Sequence, residues 1–269
     1  VTVLCARLRE LHASGTFVIL NAWDVGSARF LAAAGAPALA TTSSGFAASI
    51  GRRDQRVTRD ELVAHVASLV AAVDIPISVD AEFGYADDLA GLGETVGLLS
   101  DAGAAGFSLE DYDPAAGNVI GVESAADRIA LAKRVAAEVG GPDGSMVLTA
   151  RAENHLYGAG DLDDTIARLQ AYRTAGADVV YAPGLKDLGD IRRVVGEVDA
   201  PVNVLALRGG PTIGELAEAG VRRVSVGGAL AFLAYGAAVE AARELLGAGT
   251  IECLQHTLDS SFRNAALGE

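Results

Sequence analysis

Eight short apolar runs of β type recur along the chain, each followed by a helical stretch, and no other feature restricts the fold as much. The runs are Phe17–Leu20, Ala38–Thr41, Ile77–Asp80, Gly106–Leu109, Val147–Ala150, Asp178–Tyr181, Val202–Leu205 and Arg223–Val226. The helical stretches are Val25–Ala34, Thr58–Val73, Asp88–Ala102, Ser124–Val139, Leu162–Ala175, Leu188–Val195, Ile213–Ala219 and Ala229–Leu246. Strands that read as continuous apolar runs are buried on both faces, as in a parallel sheet covered by helices. Helix starts carry caps: Thr58 with Glu61 three residues on, and Asp161 ahead of an acidic turn. Helix ends repeat a small-Gly-small signature at Gly35, Gly103, Gly176 and Gly220, where glycine supplies a left-handed cap. Eight such units predict a closed α/β barrel of the (β/α)8, TIM type. The rival, a doubly wound open sheet, lacks a G-x-G-x-x-G after its first strand. Residues 1–269 are expected to form a single barrel domain, which this length accommodates. A helix over Val3–Ala13 precedes it, and a helical tail over Ile251–Leu267, suited to subunit contacts, follows it.

Bulk properties exclude several functions. The net charge is −14 with the acids spread along the chain, so no basic groove for nucleic acid is expected. No run of eighteen apolar residues occurs, and the first residues lack a basic-then-apolar leader, which predicts a cytoplasmic protein with no membrane contact. Cys5 and Cys253 are too few for a disulfide framework or a zinc cluster. The two lysines, Lys133 and Lys186, lie in a helix and in a loop beyond the sixth strand, which disfavours a Schiff-base mechanism.

Active sites of such barrels lie at the C-terminal ends of the strands. There the third strand delivers Asp80 and Glu82, two residues apart and therefore on one side if the strand continues. Oxygen ligands of this kind suit Mg2+. The first strand contributes Asn21, Trp23 and Asp24, the second Ser44-Gly45, and the following loop Asp54. The fourth contributes Glu110 and Asp111, the fifth Arg151, Glu153 and His155, the sixth Tyr181, and the seventh Asn203. Several converging carboxylates need a compensating cation or must take up protons. Arg151 could grip a carboxylate or phosphonate with both prongs, and the Ser44-Gly45 turn could offer backbone N–H groups to an anion. Trp23 could equally cap the barrel mouth, Asp24 could cap a helix, and Gly227-Gly228 serve either an anion or close helix packing.

Asn21-Ala22-Trp23-Asp24, Thr42-Ser43-Ser44-Gly45, Asp80-Ala81-Glu82-Phe83-Gly84-Tyr85, Ser108-Leu109-Glu110-Asp111 and Ala150-Arg151-Ala152-Glu153 follow one another in order. Together they resemble the isocitrate lyase/phosphoenolpyruvate mutase superfamily, over Val18 to Gly236. The resemblance implies a (β/α)8 barrel whose C-terminal helix is swapped between subunits of a homodimer, usually in a dimer of dimers (a homotetramer). It implies Mg2+ held near Asp80, with Glu82 and Glu110 acting directly or through water, and an α-keto acid or its enolate on the metal. Ser44 and Gly45 match the anion-binding turn, Asp54 the acid on the next loop, and Arg151 the substrate-binding arginine. Trp23 and Asn203 are further candidates for substrate contact. Tyr181, His155 and Asp54 are candidates for proton transfer. The expected activity is a Mg2+-dependent C–C lyase or hydrolase, acting by cleavage or decarboxylation on a small keto acid or dicarboxylate. The alternatives are a P–C bond mutase or hydrolase and a keto-acid-binding protein. The chain also departs from the pattern. Isocitrate and methylisocitrate lyases carry K-[KR]-C-G-H after the fourth strand, whereas Tyr112–Val119 has no Lys, Cys or His. Where relatives place Glu or His after the sixth strand, this chain has Pro183.

Overall fold

The computed structural model describes residues 2–268. The barrel strands are β1 (Phe17–Ala22), β2 (Leu39–Thr41), β3 (Ile77–Asp80), β4 (Gly106–Glu110), β7 (Val147–Arg151), β8 (Val179–Tyr181), β9 (Val202–Leu205) and β10 (Arg223–Ser225). They close in the order β1-β10-β9-β8-β7-β4-β3-β2, all parallel, as the eightfold alternation predicts. Between β4 and β7 lies a small antiparallel pair, β5 (Tyr112–Asp113) and β6 (Asn118–Val119). The helices are α1 (Thr2–Ala13), α2 (Val25–Ala33), α3 (Ser43–Ser49), α4 (Arg59–Val70), α5 (Leu89–Asp101) and α6 (Val122–Gly144). They continue with α7 (Leu162–Thr174), α8 (Leu188–Glu197), α9 (Ile213–Glu218), α10 (Ala229–Gly247) and α11 (Ser260–Leu267). No helix among the described residues is long and apolar enough to cross a membrane.

Local chemistry sets the boundaries. Thr58 and Glu61 form a reciprocal capping box at the start of α4, and the Asp161 carboxylate accepts from Asp164 N at the start of α7. Gly35, Gly103, Gly176 and Gly220 all have φ between 86° and 108°, each just beyond a helix end. The core between strands and helices is built from Leu8, Leu99, Phe107, Met146, Leu148, Leu169 and Tyr172, all fully buried. Gly106 opens β4 where Leu8 of α1 presses in. A Cβ there would stand 2.8 Å from Leu8 Cδ2 and 2.7 Å from the Val147 carbonyl oxygen.

Three local departures from expectation have physical causes. The Thr42–Gly45 stretch is not a turn but the start of α3, capped by the Thr42 hydroxyl. The segment after β4 is a hairpin, tied at its base by Ile120 N donating to Asp111 O at 2.8 Å. The tail is not one helix. A 3-10 turn (Glu252–His256) starts where the Glu244 carboxylate accepts from Glu252 N and Cys253 N, and Asp259 then caps α11 separately. The helix after the eighth barrel strand, α10, buries only Ala231, leaving Leu233 69% and Leu246 88% exposed.

Two histidines are buried with an unpartnered Nε2, His12 in α1 and His65 in α4. His65 stacks on Phe46 with ring centroids 3.8 Å apart. Burial holds the pKa of His65 down at about 4 and that of His12 at about 3, so the fold favours the neutral rings. Their contribution is complete above the ordinary value of 6.5 and is lost as pH falls toward the folded-state values. Urea titrations from pH 7 to pH 4 are expected to show falling stability, with about 3 kcal/mol of the loss due to His65. H65L should remove that share of the slope; an unchanged slope would contradict the assignment.

Candidate active site

The strand ends enclose a cavity of about 180 Å3 at the centre of the barrel. Its wall includes Asn21, Thr41, Ser44, Asp54, Asp80 and Ser108 on one side, and Arg151, Tyr181, Asn203, Arg223 and Ser225 on the other. These side chains meet because alternate strand residues face the barrel axis. Asp80 and Arg151 are the last residues of β3 and β7, with Glu110 ending β4 between them.

Arg151 organises the acidic side. Its Nη1 donates to Asp80 at 2.7 Å, its Nη2 lies 3.1 Å from Glu110, and its Nε donates to Glu153 at 2.8 Å. Burial works against the guanidinium charge, and Glu153, Glu110 and Asp80 outweigh it, so the arginine stays protonated. One cation does not balance three carboxylates. Burial raises both Glu110 and Glu153, and Arg151 only partly opposes it. Asp80 has two further donors, Ser43 N at 3.1 Å on one oxygen and Ser108 Oγ at 3.3 Å on the other, and its own backbone N donates to Thr41 Oγ1 at 2.8 Å. Glu153 is held through its backbone N by Asp111 at 2.8 Å, and Asp111 in turn accepts from Arg168 and Tyr172.

The other expected residues divide into two groups. Ser44, Asp54, Tyr181 and Asn203 line the cavity with Asp80 and Arg151, Asp54 at the exposed rim. Tyr181 lies under the Arg151 guanidinium, 5.4 Å from it, and burial pushes its hydroxyl up to about 12. Trp23, Gly45, Glu82, Glu110 and His155 are not part of the cavity wall. Trp23 and Asp24 build the start of α2, where the Ser27 hydroxyl receives both backbone N–H groups and Asp24 caps the helix. Gly45 is a packing glycine: a Cβ would stand 2.6 Å from Thr42 Cγ2 and 3.0 Å from Trp23 Cβ, and its N–H points to Thr42 Oγ1. Leu156, and not its neighbour His155, lines the wall.

Glu82 is not beside Asp80 on a strand. β3 ends at Asp80, and Glu82 adopts φ 46° in the turn that follows. Its carboxylate accepts from the Tyr85 hydroxyl and lines an adjoining recess with Gln55 and Asp113. Burial raises it to about 7, against the Tyr85 hydrogen bond, with Asp80 and Asp54 adding to the rise. Gly227 N and Val226 N both donate to Asn21 Oδ1, so these amides brace β1 against β10. Gly228 lets Ser44 approach, since a Cβ there would stand 2.5 Å from Ser44 Oγ. Arg151 itself has its fork filled by carboxylates rather than open to a ligand.

Among the described residues no group of three His, Cys, Asp or Glu side chains is arranged to hold a metal. The donor set nevertheless fits a hard cation. Mg2+ is often bound by one or two carboxylates and completed by water and substrate, and burial raises Glu82 and Glu110 toward their protonated forms, which an added cation beside Asp80 would ionise. Asn21, expected at the end of the first strand, lines the wall, and Arg223 is a wall residue that was not expected. The period-2 pattern held the clue to Arg223, because it shares a strand face with Ser225 in an otherwise apolar run.

A parallel (β/α)8 barrel with carboxylates and an arginine gathered at its strand ends has the layout of a barrel enzyme. The profile of the phosphoenolpyruvate phosphomutase family matches residues 8–246, and the chain belongs to that family, within the isocitrate lyase/phosphoenolpyruvate mutase superfamily of lyases and mutases. An uncharacterized Mycobacterium tuberculosis protein is 36% identical over 87% of this chain and 86% of its own. A Pseudomonas putida protein named Oxaloacetate decarboxylase 2 is 34% identical over 71% of this chain and 63% of its own. A Burkholderia cenocepacia crystal structure, 46% identical, covers 98% of this chain and 95% of its own with a TM-score of 0.92.

R151M removes the cation shared by three carboxylates and is expected to cost about 3–5 kcal/mol of stability at pH 7, as when one partner of a buried pair is deleted. Chemical denaturation measures it. A change below about 1 kcal/mol would show that these ion pairs do not hold the site together.

Proposed function

We propose that the chain is a Mg2+-dependent lyase or hydrolase that cleaves or decarboxylates a small α-keto acid or related dicarboxylate through an enolate. The observation that carries this reading is the excess of carboxylate over Arg151 beside a small, hydroxyl-lined cavity. Asp80 would hold the ion, with Glu82 and Glu110 reaching it through water. When bound, Mg2+ supplies Lewis-acid polarisation of the substrate carbonyl. Nη1 of Arg151, which donates to Asp80, would be the guanidinium donor available to an anionic oxygen of the substrate. Tyr181, protonated at neutral pH, can donate to the enolate or deliver its proton to carbon. Asp54 at the rim can relay a proton with solvent. Ser44 and Asn203 orient the ligand by neutral hydrogen bonds.

The β5–β6 hairpin lacks the cysteine that serves isocitrate-type cleavage. Loss of CO2 from a β-keto acid needs an electron sink but no such acid, which favours decarboxylation. Relatives named Oxaloacetate decarboxylase support this choice. The P–C mutase or hydrolase reading is favoured by the matched family's own description, and the missing hairpin lysine weighs against it. A panel of keto acids assayed with Mg2+ and with EDTA decides the matter. Oxaloacetate-type turnover abolished by EDTA and lowered more than about 100-fold in D80N is expected. Full activity in EDTA would remove the metal from the mechanism, and phosphate release from phosphonopyruvate would favour the second reading.

The exposed apolar face of α10, with Phe232, Leu233 and Leu246, fits a helix exchanged in a homodimer or dimer of dimers. Sedimentation is expected to give a dimer or tetramer, and L233D/L246D to shift it toward monomer. A wild-type monomer would refute the exchange.

A further inference from the structure

The inner part of the cavity differs in charge from its mouth. Asp80, Glu110 and Glu153 crowd the strand ends around Arg151, whereas the wall residues that precede the strand ends are Arg223, Asn203, Ser78 and Ile19. None of these is a carboxylate. Arg223 opens β10, at the opposite end of the strands from Asp80 and Arg151. It pairs in register with Phe17 and Asn203.

Arg223 is only 4% exposed, and no ion pair with a carboxylate is formed by it among the described residues. Its Nε donates to Asn203 Oδ1 at 2.8 Å, and Asn203 donates to Ser225 Oγ at 3.0 Å, so the guanidinium is held in place. Its Nη1 is buried with no hydrogen-bond partner. Burial lowers its pKa only to about 10, with Arg151 adding to the drop, and it keeps its charge at neutral pH. A buried guanidinium without a counter-charge is strongly unfavourable. Packing does not account for it, since an apolar residue would fill the same space without that penalty. An anion arriving from the cavity supplies what the fold omits.

We propose that Arg223, oriented by Asn203, is a specificity-determining residue that receives the distal carboxylate of a short dicarboxylate substrate, whose reacting end lies toward Asp80 and Arg151. This rests on the keto-acid reading and narrows it from keto acids in general to those with a second carboxylate. A monocarboxylate leaves the buried guanidinium unpaired, and that difference is the source of discrimination.

Malate and lactate form a matched pair of stable probes that differ by one carboxylate. Calorimetric titrations in Mg2+ of the wild type, R223Q and R223K test the proposal. The wild type is expected to bind malate at least about tenfold more tightly than lactate. R223Q should erase that preference by weakening malate while leaving lactate within about twofold, and R223K should fall between. Unchanged malate binding in R223Q overturns the proposal. Equal weakening of both ligands also overturns it, because it assigns Arg223 a purely structural role. A wild type that binds lactate and pyruvate but shows no preference for malate overturns it while the keto-acid reading stands. A wild type that binds none of malate, lactate, pyruvate and oxaloacetate overturns both.

Discussion

The guanidinium of Arg151 joins three strand ends into one site. β3, β4 and β7 are neighbours in the barrel, and each contributes a carboxylate to it, Glu153 from just beyond β7. Without that cation the strand ends would carry buried charges in mutual repulsion. With it, burial still raises Glu110 and Glu153, so that one cation only partly offsets the cost of placing the three acids together. The support runs outward: Asp111 fixes Glu153, and Arg168 and Tyr172 on α7 fix Asp111. Arg168 also holds the Ile120 carbonyl at the base of the β5–β6 hairpin. The electrostatic centre and the loop above it are thus parts of one hydrogen-bonded network.

Close backbone approach is the second constraint. Gly45 and Gly228 allow α3, the Trp23 segment and the start of α10 to meet within contact distances that a Cβ would block. Asn21 then ties β1 to the backbone of β2 and of the segment after β10. The glycines at this mouth therefore let neutral side chains such as Ser44 stand against the cavity, and the Gly45 amide points to the Thr42 hydroxyl.

Most of the fold was legible in the linear pattern. Apolar runs and capped helices mark eight units, and glycines beyond the helix ends mark their returns. The helix α3 was not legible, because Thr42-Ser43-Ser44-Gly45 carries turn-type residues and becomes helical only when packed beneath Trp23. The persistent apolar residues of the tail predict one continuous helix, but Glu244 and Asp259 cap its pieces separately. At the site, Asp80, Arg151, Tyr181 and Asn203 could be placed by their positions at strand ends. Glu82 could not, since the i,i+2 rule fails once the strand stops at Asp80. Arg223 begins a strand, where a charge usually faces solvent, so its sequence position does not mark it as a wall residue.

The sequence by itself determined the barrel, its order and the acidic strand ends, since hydrophobic period and capping are local properties. Tertiary structure decided which charges meet. Only strand pairing brings β7 beside β4 and β4 beside β3, so that Arg151 faces three acids, and only the inward register of β10 leaves Arg223 buried without an ion pair among the described residues. Both outcomes depend on distances between residues far apart in the chain, and periodicity within one element carries no information about them.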